Sequence, residues 1–154
     1  MLLVDYEFLW ERRPLCLCAE RYLRGGGVAY QTFNVDDLRQ GDSDTWATLS
    51  VNLPNDPCAA TWCSQPGHFV LDTNNVSKEL VDALVDSGTI TVSDGYVHSG
   101  YCDYPLVAIP SDKLALIPDS FEGMVAELQE AGIMPTEPLD LDDPSWPDKD
   151  DRER

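Results

Sequence analysis

Short runs in which apolar and polar residues alternate constrain the fold of this chain more than any other feature of its sequence. The clearest run is WATLSVNL (46–53), in which Ala47, Leu49, Val51 and Leu53 fall on one face. A period of two residues is typical of a strand in an antiparallel sheet with one buried face. The run therefore predicts a half-buried antiparallel strand.

Two pairs of strand-like runs predict hairpins. PLCLCAERYL (14–23) and VAYQTFNV (28–35) flank the glycines of RGGG (24–27), which favour a tight turn. TITV and YVHSG, within residues 89–100, flank the turn-forming sequence SDG. Each pair therefore predicts two antiparallel neighbours in a sheet.

Further segments complete the predicted sheet and its connections. YCDYPLVAIP (101–110) predicts another strand, in which Pro105 indicates an edge position or a bulge. HFVLD (68–72) predicts a strand as well. The acidic sequence DDLRQGDSD (36–44) and the proline-containing PNDPCAATWCSQPG (54–67) predict loops, and the second is long for a loop without secondary structure.

The sequence DTNN (72–75) raises the question whether Asp72 is a catalytic carboxylate at the end of a strand or part of a turn. The segment that follows, SKELVDALVDSG (77–88), has helical periodicity and ends at a glycine. Asn74 or Asn75 then occupies the N-cap position, where a short side chain accepts hydrogen bonds from free amides of the first turn. The prediction is a strand, a turn and a helix, with no catalytic partner identified for Asp72.

A second helix is predicted over DSFEGMVAELQEAG (119–132). Its apolar residues follow the i, i+3, i+4, i+7 spacing of a buried helical stripe: Phe121, Met124, Val125 and Leu128. Asp119 and Glu122 have the spacing of a capping box, and Gly132 is suited to the C′ position that ends a helix.

Together these patterns predict an α+β fold with an antiparallel sheet of five or six strands and two helices on one face. Residues 1–134 are expected to form a single domain, since a chain of 154 residues can bury one core. Residues 135–154 contain four prolines and eight acids with few apolar residues. That composition predicts a disordered, acidic C-terminal tail.

If the tail does not contribute to folding, a chain that ends at Met134 should melt close to the full chain. A shift of about 5 °C corresponds to roughly 1 kcal/mol in a domain of this size. Thermal unfolding of the two chains, compared by circular dichroism, measures the difference. A larger drop for the shorter chain would mean that the tail packs on the domain.

Acidic charge dominates the composition. There are 28 acidic residues against 10 basic ones, which gives a net charge of −18. Residues 1–34 are neutral, residues 35–134 carry −13, and residues 135–154 carry −5. Such a polyanion repels nucleic acid and anionic membranes and favours basic partners. The uneven distribution argues against a purely general role of the charge in solubility.

The chain is expected to be cytoplasmic. No apolar run is long enough for a membrane span, and MLLVDYEFLW (1–10) lacks the basic start of a signal peptide. Five cysteines are an odd number without a dense disulfide pattern, so reduced thiols are expected.

Several thiols and histidines are candidates for metal ligands or catalytic groups. Cys58, Cys63, His68 and Cys102 are the candidates for zinc, but a spacing of four residues between cysteines departs from the usual C-x2-C, so no metal and no cofactor are predicted. Cys102 could act as a nucleophile with His68 or His98 as base and Asp72 as the orienting group. No local signature supports that arrangement, and the chain is predicted not to be an enzyme.

The helix predicted over residues 77–88 carries a row of carboxylates. At 100° per residue, Glu79, Asp82 and Asp86 lie within about 60° of each other, with successive rises of about 4.5 and 6 Å. Phosphates along one DNA strand repeat on a comparable scale, at about 3.4 Å of axis per nucleotide. The row therefore suggests a substitute for a phosphate backbone, although a solvated helix face has the same pattern.

Three short blocks in the middle of the chain resemble a known family. LSVNLP (49–54), DTNN (72–75) and SGYCDYP (99–105) look like the signature blocks of a poorly characterised family of small proteins carried on bacterial plasmids and integrative elements. The resemblance covers about residues 45–110. It implies an accessory protein of a mobile element and no established catalytic residues.

Charge and resemblance together suggest an inhibitor of a host defence complex that acts by DNA mimicry, in the manner of anti-CRISPR or antirestriction proteins. It would bind a basic, nucleic-acid-binding protein and not nucleic acid itself. The candidate binding residues are Asp36, Asp37, Asp42, Asp44, Glu79, Asp82 and Asp86. An acidic adaptor in conjugation or plasmid maintenance, binding through its tail, is the first alternative, and a small cysteine- or zinc-dependent enzyme is the second.

Overall fold

The structure is a computed structural model that describes residues 2–21 and 27–135. It confirms the α+β class with antiparallel sheets, but the arrangement of one five- or six-stranded sheet with two helices is wrong. The described part contains seven strands in two sheets and five helices. The predicted tail, apart from Pro135, lies outside the described residues.

The elements follow in this order along the chain: β1 (Leu3–Phe8), β2 (Glu11–Arg21), β3 (Val28–Asn34), α1 (Val35–Arg39), β4 (Ala47–Thr48), α2 (Pro57–Cys63), β5 (His68–Val70), α3 (Lys78–Asp86), β6 (Thr91–Ser99), β7 (Cys102–Ala108), α4 (Ser111–Leu114) and α5 (Phe121–Glu130). None of these helices is long and apolar enough to cross a membrane.

The first sheet has the order β1-β2-β3-β4, with antiparallel neighbours throughout. Its second strand is buried on both faces, because Leu15 and Leu17 face one core and Cys16 and Cys18 face another. The predicted pairing of 14–23 with 28–35 is confirmed. Most of the predicted turn between them lies outside the described residues.

Two separate cores stabilise the two faces of this sheet. The larger core includes Leu15, Leu17, Leu80, Leu84 and Phe69, so it joins α3 and the second sheet to the first. The other core joins α1 and α5 to the opposite face through Val35, Leu38, Met124, Leu128 and the two buried thiols. Helices therefore cover both faces of the first sheet and not one face only.

The second sheet has the order β5-β7-β6. Residues 91–99 form one strand, so the predicted hairpin around SDG is wrong. The register pairs Val92 with Val107 and Tyr96 with Pro105, so residues 93–95 form a bulge across from Leu106, next to Pro105. Pro105 O accepts from the amide of Leu71 at 3.0 Å. The N and C=O of one residue point to the same side of an antiparallel strand, so the proline nitrogen, which has no N–H to donate, faces the end of β5 and not the bulge. A bulge therefore lies next to Pro105 but on the partner strand, and the predicted edge position is wrong because β7 is the central strand of its sheet.

The predicted strand over residues 46–53 is shorter than expected, because the segment changes sheets. Ala47–Thr48 pairs with β3, and the amide of Leu49 donates to Tyr30 O at 2.8 Å. The amide of Val51 instead donates to Val70 O at 2.9 Å in the second sheet. We call residues 46–53 the crossing segment, because they connect the two sheets. The first part of the segment pairs with β3 and the second part with the second sheet.

Two segments predicted as loops contain helices. Residues 36–44 begin inside α1, where the Asn34 side chain accepts from the amide of Asp36. Residues 54–67 contain α2, which Asp56 caps by accepting from the amides of Cys58 and Ala59. Both caps are short side chains of the type that favour helix starts, and Pro57 suits the first turn.

The two predicted helices exist, but other residues cap them. Ser77, and not Asn74 or Asn75, caps α3 by accepting from the amide of Leu80 at 3.2 Å. Ser120 caps α5 in place of Asp119 by accepting from the amide of Gly123 at 2.9 Å. Gly88 and Gly132 follow the two helices with φ of +75° and +76°, as predicted from the sequence for helix ends.

Candidate functional site

A groove of about 500 Å³ lies between β1 and α3, and we call it the β1–α3 groove. It contains five of the chain's carboxylates and one guanidinium among its lining residues: Asp5, Tyr6, Glu7, Arg12, Glu79, Asp82, Ala83, Asp86 and Ser87. Carboxylates from two elements therefore converge on one concave surface. β1 is the outermost described strand of its sheet, so this side of the groove follows a strand edge that no other described strand pairs with.

The acids of α3 lie as the helical periodicity predicts. Glu79, Asp82 and Asp86 are exposed, whereas Leu80 and Leu84 are buried in the larger core. Val85 is exposed as well, because the core covers only a narrow stripe of this nine-residue helix. The three carboxylates are therefore available to a partner without disturbing the core.

Two cations partly offset the negative charge of the groove. Lys78 Nζ lies 2.9 Å from Asp82 Oδ2, and the hydrogen bond to that carboxylate raises the pKa of Lys78. Arg12 is the register partner of Glu7 across the β1–β2 hairpin. Both cations are at the surface, where an ion pair contributes little free energy. A more basic surface can therefore displace them from the carboxylates at small cost.

The other predicted acids form a separate group. Asp36 and Asp37 lie in the first turn of α1, and Asp36 Oδ1 is 3.6 Å from Arg39 Nη1. Asp42 Oδ1 accepts from the amide of Asp44 at 3.0 Å. Because α1 packs on the face of the first sheet opposite α3, the seven predicted residues lie on two sides of the sheet. A flat partner surface can contact one group at a time.

The candidate metal ligands do not converge. Cys58 and Cys63 lie on α2, where a separation of five residues corresponds to about 140° of rotation. His68 pairs with Ala108 and Cys102 lies at the other end of β7, about 20 Å away at 3.3 Å per residue. Within the described ranges, no three His, Cys, Asp or Glu side chains form a group that could hold a metal ion.

The catalytic arrangement considered for Cys102 is not assembled. His98 Nδ1 lies 2.7 Å from Asp103 Oδ1 at an exposed cross-strand pair, so its carboxylate partner is not Asp72. His68 stacks on Trp62, with ring centroids 4.2 Å apart, at the far end of β7. Neither histidine is therefore placed between Asp72 and Cys102 in the way that the hypothesis requires.

Asp72 belongs to the turn that leads into α3. Its amide donates to Leu49 O at 2.8 Å, and its carbonyl accepts from the amides of Asn75 and Val76. Its Oδ2 accepts from Asn75 Nδ2 at 2.8 Å, while its buried Oδ1 has no hydrogen-bond partner. These bonds anchor the turn to the crossing segment, and that structural role accounts for most of the polar atoms of this aspartate.

Tyr104 lies close to this turn. The side chain of Cys102 is the main cause that raises the pKa of Tyr104, and Asn74 lowers it through a hydrogen bond. The three side chains therefore form a small polar cluster near Asp72. It contains a thiol and a phenol but no histidine, so it lacks the base that an activated nucleophile needs.

Cys16 and Cys18 are packed residues, as their alternation on a strand suggests. Both thiols are buried and free. Burial raises the pKa of Cys16 from 9.0 to about 12, and that of Cys18 from 9.0 to about 11. A thiol becomes a nucleophile or metal ligand as the thiolate, so these two groups are chemically inert near neutral pH.

A smaller cavity of about 230 Å³ lies between the crossing segment, α2 and β5. Ser50, Asn52 and Cys63 are its polar lining residues of most chemical interest, and the rest of the described lining is largely apolar. Burial raises the pKa of Cys63 as well. No described lining residue is a carboxylate or an imidazole, so the cavity offers no acid–base pair for catalysis.

Sequence patterns did not single out the tip of the β1–β2 hairpin. Leu9 and Trp10 are highly exposed there, with 68% and 94% of their surface accessible. The signal was present in the alternation of Val4 and Tyr6 with charged residues, which marks residues 3–8 as a strand. Two bulky residues immediately before another strand then have to form the turn.

No family model, no curated protein and no solved structure matches the chain. The resemblance to small mobile-element proteins over about residues 45–110 therefore stays a prediction from the sequence. Assignment of a function relies on the chemistry of the molecule itself.

Proposed function

We propose that this protein is a non-enzymatic binding protein whose β1–α3 groove occupies the nucleic-acid-binding surface of a basic partner. The observation that carries the proposal is the convergence of five carboxylates from β1 and α3 on one groove. Surfaces that bind nucleic acid are rich in Lys and Arg, and carboxylates held in place by a fold can neutralise them as phosphates do. The net charge of −18 attracts such a surface over long range.

Rigid presentation of the carboxylates supports this role. The acidic row lies on a helix whose opposite side is buried through Leu80 and Leu84, and Ser77 caps the first turn. Little conformational entropy of the backbone is then lost on binding, which favours affinity. The resemblance to mobile-element proteins favours a host defence complex as the partner, as for anti-CRISPR or antirestriction proteins, and a cytoplasmic location.

An acidic adaptor in conjugation or plasmid maintenance is the second proposal. The net charge of −5 in residues 135–154, from eight acidic and three basic residues, favours it, because that segment can bind a basic partner independently of the groove. The two proposals differ in where binding resides. A chain that ends at Met134 keeps the groove and loses the segment, so it separates them.

A competition experiment tests the leading proposal. The full chain is immobilised, a bacterial lysate is applied, and proteins are eluted with a salt gradient, identified and purified. We expect that saturating protein prevents the partner from binding its nucleic acid. We also expect the affinity to fall steeply between about 50 and 300 mM salt, over which the Debye length falls by about half. Normal nucleic-acid binding in the presence of saturating protein would exclude mimicry.

A further inference from the structure

The hairpin between β1 and β2 ends in an unusual turn. Phe8 and Glu11 are the last paired residues, so Leu9 and Trp10 alone form the loop. Their φ angles are +54° and +70°, and two positive φ angles in a two-residue loop are the pattern of a type I′ turn. Among the described residues, these are the only ones other than glycine with positive φ.

Leucine and tryptophan are poorly suited to that turn. The left-handed conformation brings the Cβ atom too close to the backbone, so Asn-Gly, Asp-Gly and Gly-Gly are the usual sequences. Both bulky side chains therefore impose strain that a different pair of residues would relieve. Strain of this kind is concentrated at binding and catalytic sites, where a particular side chain is needed in a particular place.

Exposure of the same two side chains points to binding. Trp10 is 94% exposed, and Leu9 beside it is 68% exposed. Tryptophan dominates binding free energy in many interfaces, usually in a pocket surrounded by less critical contacts. The two residues project together from a hairpin, which is a shape that fits a pocket and not a flat surface.

The charge around the hairpin tip restricts which class of molecule can carry such a pocket. The immediate flanks, Glu7, Glu11 and Arg12, are exposed, and Arg13 packs over the Trp46 ring at 5.5 Å. Glu7 is also part of the β1–α3 groove, so the tip continues directly from the acidic surface. Anionic membranes and a second copy of this chain both meet repulsion from a net charge of −18. A protein with an apolar pocket beside a basic surface meets no such electrostatic repulsion.

We propose that Leu9 and Trp10 form a hydrophobic anchor that inserts into an apolar pocket adjoining the basic surface of the partner. The inference rests on the proposed function for the identity of that partner. It adds a separate contribution to binding, because burial of the two side chains does not depend on salt in the way that the carboxylate contacts do. The groove would then provide attraction and the tip would provide a long-lived contact.

The double substitution Leu9→Asn and Trp10→Gly tests the anchor without endangering the fold. It installs the preferred residues of a type I′ turn, so the urea midpoint of unfolding should rise or stay equal. Binding to the purified partner should fall by at least about tenfold, with an unchanged slope of affinity against salt, since no charge is altered. The matched control is Tyr101→Ser, which removes an exposed aromatic residue from the tip of the β6–β7 hairpin.

Photo-crosslinking identifies what the tip contacts. A photoreactive phenylalanine replaces Trp10 in one full chain and Tyr101 in another, and each is irradiated with the heparin-retained protein fraction of a bacterial lysate. Separate arms contain the chain alone and vesicles of phosphatidylglycerol and phosphatidylethanolamine. We expect a crosslink to a basic protein from position 10 and none from position 101.

Other outcomes overturn the anchor. These are a crosslink to lipid or to a second copy, equal crosslinking from both positions, or unchanged affinity in the double variant. If the tip crosslinks to a basic protein that still binds its nucleic acid normally, the anchor stands and the mimicry proposal fails. The two proposals therefore fail in distinguishable ways.

Discussion

Reversal of the three α3 carboxylates should weaken binding to the basic partner by more than about tenfold. The variant carries Glu79→Lys, Asp82→Lys and Asp86→Lys in one chain. Each exposed charge pair contributes about 0.5–1 kcal/mol, and pairs that lose water on binding contribute more, so three losses together exceed a factor of ten. The slope of log affinity against log salt should also become shallower, because fewer charges are neutralised.

The fold should tolerate this reversal. The substituted residues are exposed, and the helix remains attached through Leu80 and Leu84. The main local loss is the Lys78–Asp82 ion pair, which an i, i+4 repulsion replaces at a cost of roughly 0.5 kcal/mol. Circular dichroism and a urea unfolding curve confirm that the variant is folded before its affinity is measured.

A matched control comes from α5. Glu122→Lys, Glu127→Lys and Glu130→Lys change the net charge by the same amount on a helix that packs against the opposite face of the first sheet. The acids of residues 1–34 are less suitable, although that segment is neutral, because Glu7 and Asp5 line the groove. Equal weakening by the α3 and α5 variants would show that only net charge matters and would contradict a role for the groove.

Local sequence patterns correctly predicted two helices and one pair of strands. The helix over residues 77–88 and that over 119–132 have a regular apolar stripe, and the strands around residues 14–35 alternate with turn residues between them. In each of the two helices, one partner layer determines which side chains are buried, whereas β2 is buried on both faces and was predicted together with β3 as a pair. Propensity and periodicity then agree with the tertiary structure.

Segments that change partners were the ones predicted wrongly. The alternation in residues 46–53 suggested a single strand, yet the chain pairs first with β3 and then with β5. Pairing partners at that distance in sequence cannot be deduced from the period of two alone. The same limit explains why one sheet was expected where two exist, since the segment connects them.

Short helices and their caps depend on details that periodicity does not resolve. Five residues in α1 and seven in α2 are too few for an apolar stripe to stand out. Several short polar residues preceded each longer helix, and only the structure shows that Ser77 and Ser120 have the geometry to cap. Element boundaries were therefore less predictable than the elements themselves.

Half of the candidate site could be predicted from the sequence. The helical angle placed Glu79, Asp82 and Asp86 in one row, and the structure has them exposed together. The contribution of β1 to the groove is a tertiary contact between residues more than 70 positions apart. Which face of a sheet a helix covers is likewise a property of the whole fold, so the separate location of Asp36, Asp37, Asp42 and Asp44 was not predictable.

Alkaline pH should destabilise this protein through its two buried thiols. Below pH 9 both thiols are protonated in the folded and unfolded states, so their contribution to stability is fully present. Above pH 9 the unfolded chain releases these protons, while burial keeps the pKa of Cys16 near about 12 and that of Cys18 near about 11 in the folded state. The unfolded state then binds fewer protons than the folded state, and the free energy of unfolding falls as pH rises.

Each thiol should lower the free energy of unfolding by up to about 1.4 kcal/mol per pH unit in this range. The two thiols together should lower it by about 3 kcal/mol between pH 8 and pH 10. That loss is a large share of the 5–15 kcal/mol that is typical of a folded domain.

Urea unfolding at pH 8, 9 and 10 with a reductant present measures this loss, and the double variant Cys16→Ala, Cys18→Ala is the control. The variant should be less stable at pH 8 because it loses packed side chains, yet its stability should change much less with pH. Its residual slope belongs to groups such as Cys63, whose pKa is also raised by burial. If the wild type and the double variant lose the same free energy over this range, the two thiols are not held in their protonated form by the core, and the account of β2 as a strand buried on both faces is wrong.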